Sequence, residues 1–126
     1  MAVNYDTPTK SARMAATILQ IDANAAAAYL EIATASYAQV LVTITFGDPS
    51  FTESGGVITM TGAPKSGVAS NTGTAAVARI KDGGGITKVN NLTVAAPSGG
   101  DINLNNTSIS AGQTVTLTAG TITYAA

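Results

Sequence analysis

The chain has 126 residues, with 6 Lys+Arg against 7 Asp+Glu, and it contains no His, Cys or Trp. Charged residues make up only 10% of it, where ordinary soluble domains carry about 25%. The missing residue types exclude a Cys or His zinc site, a thiol nucleophile, a disulfide, a His general base and any Ser-His-Asp triad. The length accommodates one domain with one core, expected over 1–126. Ala supplies 23 of the apolar residues, leaving 34 larger apolar side chains for a thin core. A net charge of −1 and a pI near 5.0 give no general attraction for nucleic acid or an anionic membrane. Dispersed monomers usually carry more charge, so the composition points to a surface covered by copies of the chain or by a partner.

The first element in chain order is a helix predicted over 7–24, preceded by an N-terminal arm of about 1–8. Thr7 is the expected N-cap and Pro8 the first helical residue, where a missing N–H costs nothing. Lys10, Arg13, Thr17, Gln20 and Asn24 recur on one helical face, while Met14, Ala15, Ile18, Leu19 and Ile21 fill the other. Such a helix lies on a sheet or packs against a neighbouring subunit. A signal peptide is not expected, although Lys10 and Arg13 precede an apolar run ending at Ala23-Asn24-Ala25. Asp6 falls in the basic region, Thr17 and Gln20 interrupt the run, and Asp22 closes it early.

From Tyr29 the apolar period changes to two, which predicts a short strand over 29–33 and a longer one over 37–46. In the longer strand Val40, Val42, Ile44 and Phe46 share a face. Gly47-Asp48-Pro49-Ser50 reads as a turn. A strand over 57–61, with Ile58 and Met60 on one side, leads into 62–73, which reads as an exposed loop. Residues 74–81 set Ala76, Ala78 and Ile80 opposite Arg79 and Lys81, and Asp82-Gly83-Gly84-Gly85 turns the chain into a strand over 86–94. The apolar parity slips between Val89 and the pair Leu92 and Val94, which predicts a bulge at Asn90-Asn91.

After the Pro97-Ser98-Gly99-Gly100 loop, Ile102 and Leu104 mark a short strand. In the last stretch Val115 and Leu117 take one parity and Ile122 and Tyr124 the other, so a turn or bulge is expected at Ala119-Gly120. The expected fold class is mainly β: an antiparallel β-sandwich or small barrel of short strands with one N-terminal amphipathic helix. The uncharged stretches 32–47 and 102–126 alternate with polar residues and lack the ~20 continuous apolar residues of a membrane helix.

No motif carries chemistry. The glycines at 83–85 lack GxxxxGK[ST] spacing and fall between two strands, so they read as a hairpin turn. Asp48 and Glu53 form the closest acidic pair, but glycoside hydrolysis needs carboxyls about 5–9 Å apart in a cleft beside aromatic platforms. Aromatics are 5% of the chain. A calcium-loop pattern is also missing, and Asp101 after Gly99-Gly100 reads as a turn residue. Lys10, Arg13, Lys65, Arg79, Lys81 and Lys88 make no basic stripe interleaved with aromatics. Arg79, Lys81 and Lys88 converge on one hairpin face, where solvation or pairing with an acidic neighbour is expected. Asn91-Leu92-Thr93 matches a glycosylation sequon. Catalytic residues, metals, cofactors, nucleic acid, membrane and small-molecule ligands are therefore not expected. The candidate assembly contacts are Val3 and Tyr5 in the arm and Met14, Ile18 and Ile21 on the helix, with self-association as the favoured partnership.

The opening Asn4-Tyr5-Asp6-Thr7-Pro8-Thr9-Lys10 resembles small structural proteins of tailed bacteriophages. So does the closing stretch with Asp101-Ile102-Asn103-Leu104, Ile109, Ala111-Gly112-Gln113-Thr114-Val115 and Thr121-Ile122-Thr123. The resemblance covers nearly the whole chain and rests on turn-and-strand patterns, so no catalytic residue comes with it. It implies a non-enzymatic virion protein, and best a head decoration or cement protein. Such proteins are small, β-rich and often homotrimeric, and sit on the capsid surface over junctions of the major capsid protein. A neck, tail or fibre component is the alternative it leaves. A carbohydrate-binding β-sandwich for host adsorption, with Tyr29, Tyr37 or Tyr124 stacking on sugar rings, is a reading of a different class.

Overall fold

Helix α1 spans Thr7–Ile21 in the computed structural model, which describes residues 6–24, 26–47, 49–62 and 64–123. Its N-cap is Asp6 rather than Thr7: the Asp6 carboxylate accepts from the Thr9 N–H at 2.9 Å. A carboxylate there both satisfies an orphan amide and faces the positive end of the helix dipole. Pro8 sits in the first turn. The helix ends at Ile21, three residues short of the predicted Asn24: Asp22 is its C-cap, its N–H still donating to the Ile18 carbonyl while its carboxylate accepts the Ser50 N–H at 3.0 Å. Met14 and Ile21 are buried and Ile18 packs beside them, whereas Ala15 and Leu19 are exposed. The apolar stripe is thus narrower than the sequence pattern predicts.

Among the described residues eleven strands follow: β1 (Tyr29–Ala33), β2 (Val40–Thr45), β3 (Phe51–Ser54), β4 (Val57–Met60), β5 (Lys65–Val68), β6 (Gly73–Thr74), β7 (Val77–Lys81), β8 (Thr87–Ala95), β9 (Ile102–Leu104), β10 (Ser108–Ile109) and β11 (Thr114–Thr123). The main sheet runs β2-β1-β7-β8-β9-β11-β4-β3, with β5 also on β11, while β6 and β10 form a separate short ladder. The chain is therefore mainly β with one N-terminal helix, as composition and periodicity predict. The sheet is mixed rather than wholly antiparallel, because β8 and β9 run parallel (Val94↔Ile102, Ala95↔Asn103).

That parallel pair joins two antiparallel halves, and the sheet curls until β5 lies against β2. Contact there is close: a Cβ on Gly67 would stand 2.9 Å from the Thr43 carbonyl. Beyond β5, the Ser70 N–H donates to the Leu41 carbonyl and the Asn71 amide to the Val40 carbonyl, each at 2.8 Å. These bonds cover the outer edge of β2, which would otherwise offer a template for another strand. Inside the curl lie Leu30, Ile32, Leu41, Ile44, Ile80, Leu104 and Leu117, all fully buried. Helix α1 packs on β3, β4 and β8 and closes the open side.

Several expectations change in detail. β2 starts at Val40 instead of 37, because Ser36 and Tyr37 take the left-handed backbone in a short 3-10 turn. Residues 62–73, expected as a loop, contain β5 and the start of β6. β5 has almost no apolar alternation of its own, and its partner β11 sets its register (Val68↔Thr114 to Lys65↔Leu117). β3 was not anticipated either. The bulge at Asn90-Asn91 is present: Ala78↔Leu92 and Ile80↔Val89 leave an extra residue on β8, and Asn91 has φ 57. In β11 the irregularity falls between Leu117 and Ala119, where two steps on β11 match one on β9, and the strand continues through it.

Candidate functional site

The charged side chains are engaged locally. Glu31 on β1 projects from the outer face opposite Arg79 and Lys81 on β7, and its Oε1 accepts from Arg79 Nε at 2.7 Å and lies 3.2 Å from Lys81 Nζ. Burial alone would raise its pKa, but hydrogen bonds from Arg79 and Lys81 outweigh that and hold the carboxyl below its usual range. The Arg79 guanidinium also lies 4.7 Å over the Tyr37 ring. The Tyr37 hydroxyl donates to the Ala78 carbonyl at 3.0 Å and accepts the Asn91 N–H at 2.8 Å. It thereby pins the β8 bulge to β7.

Asp82 heads the β7–β8 turn and is 2% exposed. Its Oδ1 accepts from the amides of Ile86 (3.0 Å) and Gly84 (2.9 Å), and its Oδ2 faces Lys88 at 3.6 Å. The Ile86 N–H leads the set of contacts that lower its pKa against the opposing effect of burial. Gly83 is required in this turn, since a Cβ would overlap the Ala26 carbonyl. So the 83–85 glycines form a hairpin turn pressed against the chain after α1.

The other described carboxylates have similar roles. Asp6 is lowered by the hydroxyl and amide of Thr9. Asp22 holds the Ser50 N–H, Glu53 the Gly56 N–H, and Asp101 both the N–H and hydroxyl of Thr93. Asp48, and with it the Asp48–Glu53 pair, lies outside the described residues. Of the hairpin cations, Arg79 and Lys81 converge on Glu31 whereas Lys88 turns to Asp82.

The candidate assembly contacts separate into two groups. Val3 and Tyr5 lie outside the described residues, as does Tyr124. Met14 (6% exposed) and Ile21 (0%) belong to the core of this chain, with Ile18 packed against it. This face of the helix lies on the chain's own sheet, against β3, β4 and β8. Among the described residues, the large apolar side chains that face solvent are Leu19, Val68 and Ile86, at 70%, 65% and 61% exposure.

One concavity was not legible in the sequence. β8 and β11 both pair with β9 and not with each other, and residues of α1, β8 and β11 line a concavity there. Between them is a groove of about 250 Å³ with an apolar floor of Met14, Val89 and Ile122 and a polar rim of Arg13, Thr17 and Lys88. A second lobe of about 270 Å³ extends along α1 past Ala16 and Gln20. Thr17 and Lys88 read separately as helix and hairpin surface; only the parity slip after Val89 marks the place. No described acidic side chain lines either lobe. The groove thus sets two cations and the Thr17 hydroxyl beside an apolar floor.

No protein-family model, curated protein sequence or solved structure matches the chain.

Proposed function

We propose that the protein is a non-enzymatic structural component of a virion, best a capsid decoration or cement protein that binds over capsomer junctions and stabilises the head. The observation that carries the assembly part is the use of charge: each described carboxylate is engaged by a turn amide, a cap or a cross-strand cation. Between the few charged side chains the surface is made largely of hydroxyls, amides and Ala, with the apolar Leu19, Val68 and Ile86 exposed among them. Such a surface is better suited to being covered than to keeping a monomer dispersed. The phage part rests on the resemblance of residues 4–10 and 101–123 to tailed-phage virion proteins. Attachment would be multivalent: each copy of a homotrimer adds a modest interface, and each engaged contact raises the effective concentration of the next.

Tyr37 weighs against the sugar-binding reading, because its ring is already stacked under Arg79 and its hydroxyl holds a bulge. Quantitative mass spectrometry of purified virions tests the proposal. A copy number comparable to that of the major capsid protein is expected. A few to a dozen copies per particle rejects decoration and favours a neck, tail or fibre position.

A further inference from the structure

We propose that the seam where the curled sheet meets itself, between β2 and the strap 65–71, is a gate: when it parts, the freed edge of β2 pairs with the same edge of a second copy. The sheet closes there without a ladder. β5 hydrogen-bonds as a strand to β11 and not to β2. Among the described residues, the bonds across the seam come from Ser70 and Asn71. The Ser70 N–H donates to the Leu41 carbonyl, its hydroxyl lies 3.4 Å from the same oxygen, and the Asn71 amide donates to the Val40 carbonyl. β5 itself buries no residue. A boundary held by so few bonds, beside a strand that buries nothing, opens more readily than the core strands behind it.

The freed edge selects its occupant. The Leu41 carbonyl is taken by Ser70 and the Thr43 carbonyl lies against Gly67, whereas the Phe46 N–H donates on the other side, to the Ala28 carbonyl. Strand alternation therefore turns the backbone groups of Leu41, Thr43 and Thr45 to the seam and those of Val42 and Ile44 to β1. Val40-Leu41-Val42-Thr43-Ile44-Thr45 has no charge, Pro or Gly, and all but Leu41 are β-branched. Segments of that composition pair with copies of themselves when their edge is open. An antiparallel pair about Thr43 sets Thr43 against Thr43 and Leu41 against Thr45. Every seam-facing N–H and C=O then finds a partner and no charge is buried. The gate does not depend on the virion reading, which concerns the closed form.

The test uses the full chain and two variants that part the seam by different means. Asn71→Asp keeps the side chain's shape but turns a carboxylate to the Val40 carbonyl. Gly67→Ala wedges the seam, since its Cβ would stand 2.9 Å from the Thr43 oxygen. In native-state hydrogen exchange the Ser70 amide, which spans the seam, should exchange about five- to tenfold faster in Asn71→Asp. The Ala69 amide, bonded to the Gln113 carbonyl on the β11 side at 2.8 Å, should keep its wild-type rate. Sedimentation should show concentration-dependent association beyond the wild-type state in both variants, with new protection at the Thr43 and Thr45 amides. Adding Thr43→Lys, at an exposed position, sets two ammonium groups opposite each other at the centre of the pair. It should abolish the extra association and leave the faster Ser70 exchange in place.

Ser70 and Ala69 amides that accelerate together would mean that no separate seam opens, and overturn the gate. No added association in either variant removes the second copy as occupant and sinks the proposal, as does association that survives Thr43→Lys.

Discussion

Tyr37 illustrates how much one side chain can organise. Its backbone is left-handed, its ring lies under Arg79, and its hydroxyl links the Ala78 carbonyl to the Asn91 amide. Tyr37→Phe keeps the ring and the guanidinium stack but leaves the bulge amide without its acceptor. The expected cost is about 1 kcal/mol, the usual net value of one hydrogen bond. Urea unfolding should show a lower midpoint at an unchanged slope; an unchanged midpoint would mean that water replaces the hydroxyl without loss. The bulge itself was legible at this scale, because a slipped parity between Val89 and Leu92 needs an extra residue somewhere between them. The tyrosine's part in it was not, since its partners lie 41 and 54 residues away. Asp6 as cap shows a similar limit: Thr7 and Asp6 are both acceptable N-caps, and only the structure shows that the Asp6 carboxylate is the one that meets the Thr9 N–H.

Among the elements, α1 and β5 mark opposite ends of legibility. The helix was evident from its periodicity, yet the pattern overstated its buried side. That difference predicts a contrast between two substitutions of like chemistry. Ile21→Ala removes a fully buried side chain wedged between helix and sheet and should cost about 2–5 kcal/mol. Leu19→Ala, at a position 70% exposed, should change stability by less than about 0.5 kcal/mol. Parallel denaturant titrations decide it, and equal losses would mean that Leu19 is covered in solution by another molecule. Strand β5 was missed because nothing in Lys65-Ser66-Gly67-Val68 alternates. Tertiary context makes it a strand: β11 supplies the ladder on one side, and Gly67 lets it pass close over β2 on the other. Periodicity reports what an element buries, and β5, with no buried residue, is held by backbone bonds instead.

For the molecule as a whole, the scarce charges make stability depend on pH in a specific way. Glu31, Asp82 and Asp6 all have carboxyls held below their ordinary values of 4.5, 3.8 and 3.8. A group lowered on folding binds protons more readily in the unfolded chain. Its contribution is complete above the ordinary value and is lost as pH falls through the lower folded one. The chain has no His, so no side chain with an unperturbed pKa near neutrality acts between pH 5 and 8. The melting temperature should therefore be nearly flat from about pH 5.5 to 8 and should fall progressively below about pH 4.5. The loss has identifiable origins: Glu31 lets go of Arg79 and Lys81, and Asp82 releases the turn that positions Lys88. Glu31→Gln should remove part of the acid dependence while lowering stability at pH 7, because Arg79 and Lys81 then face each other without a counter-charge. Calorimetric melts across that range check both statements. A melting temperature that already declines between pH 8 and 6, or that holds steady down to pH 3, would show that these carboxylates are not what secures the folded state.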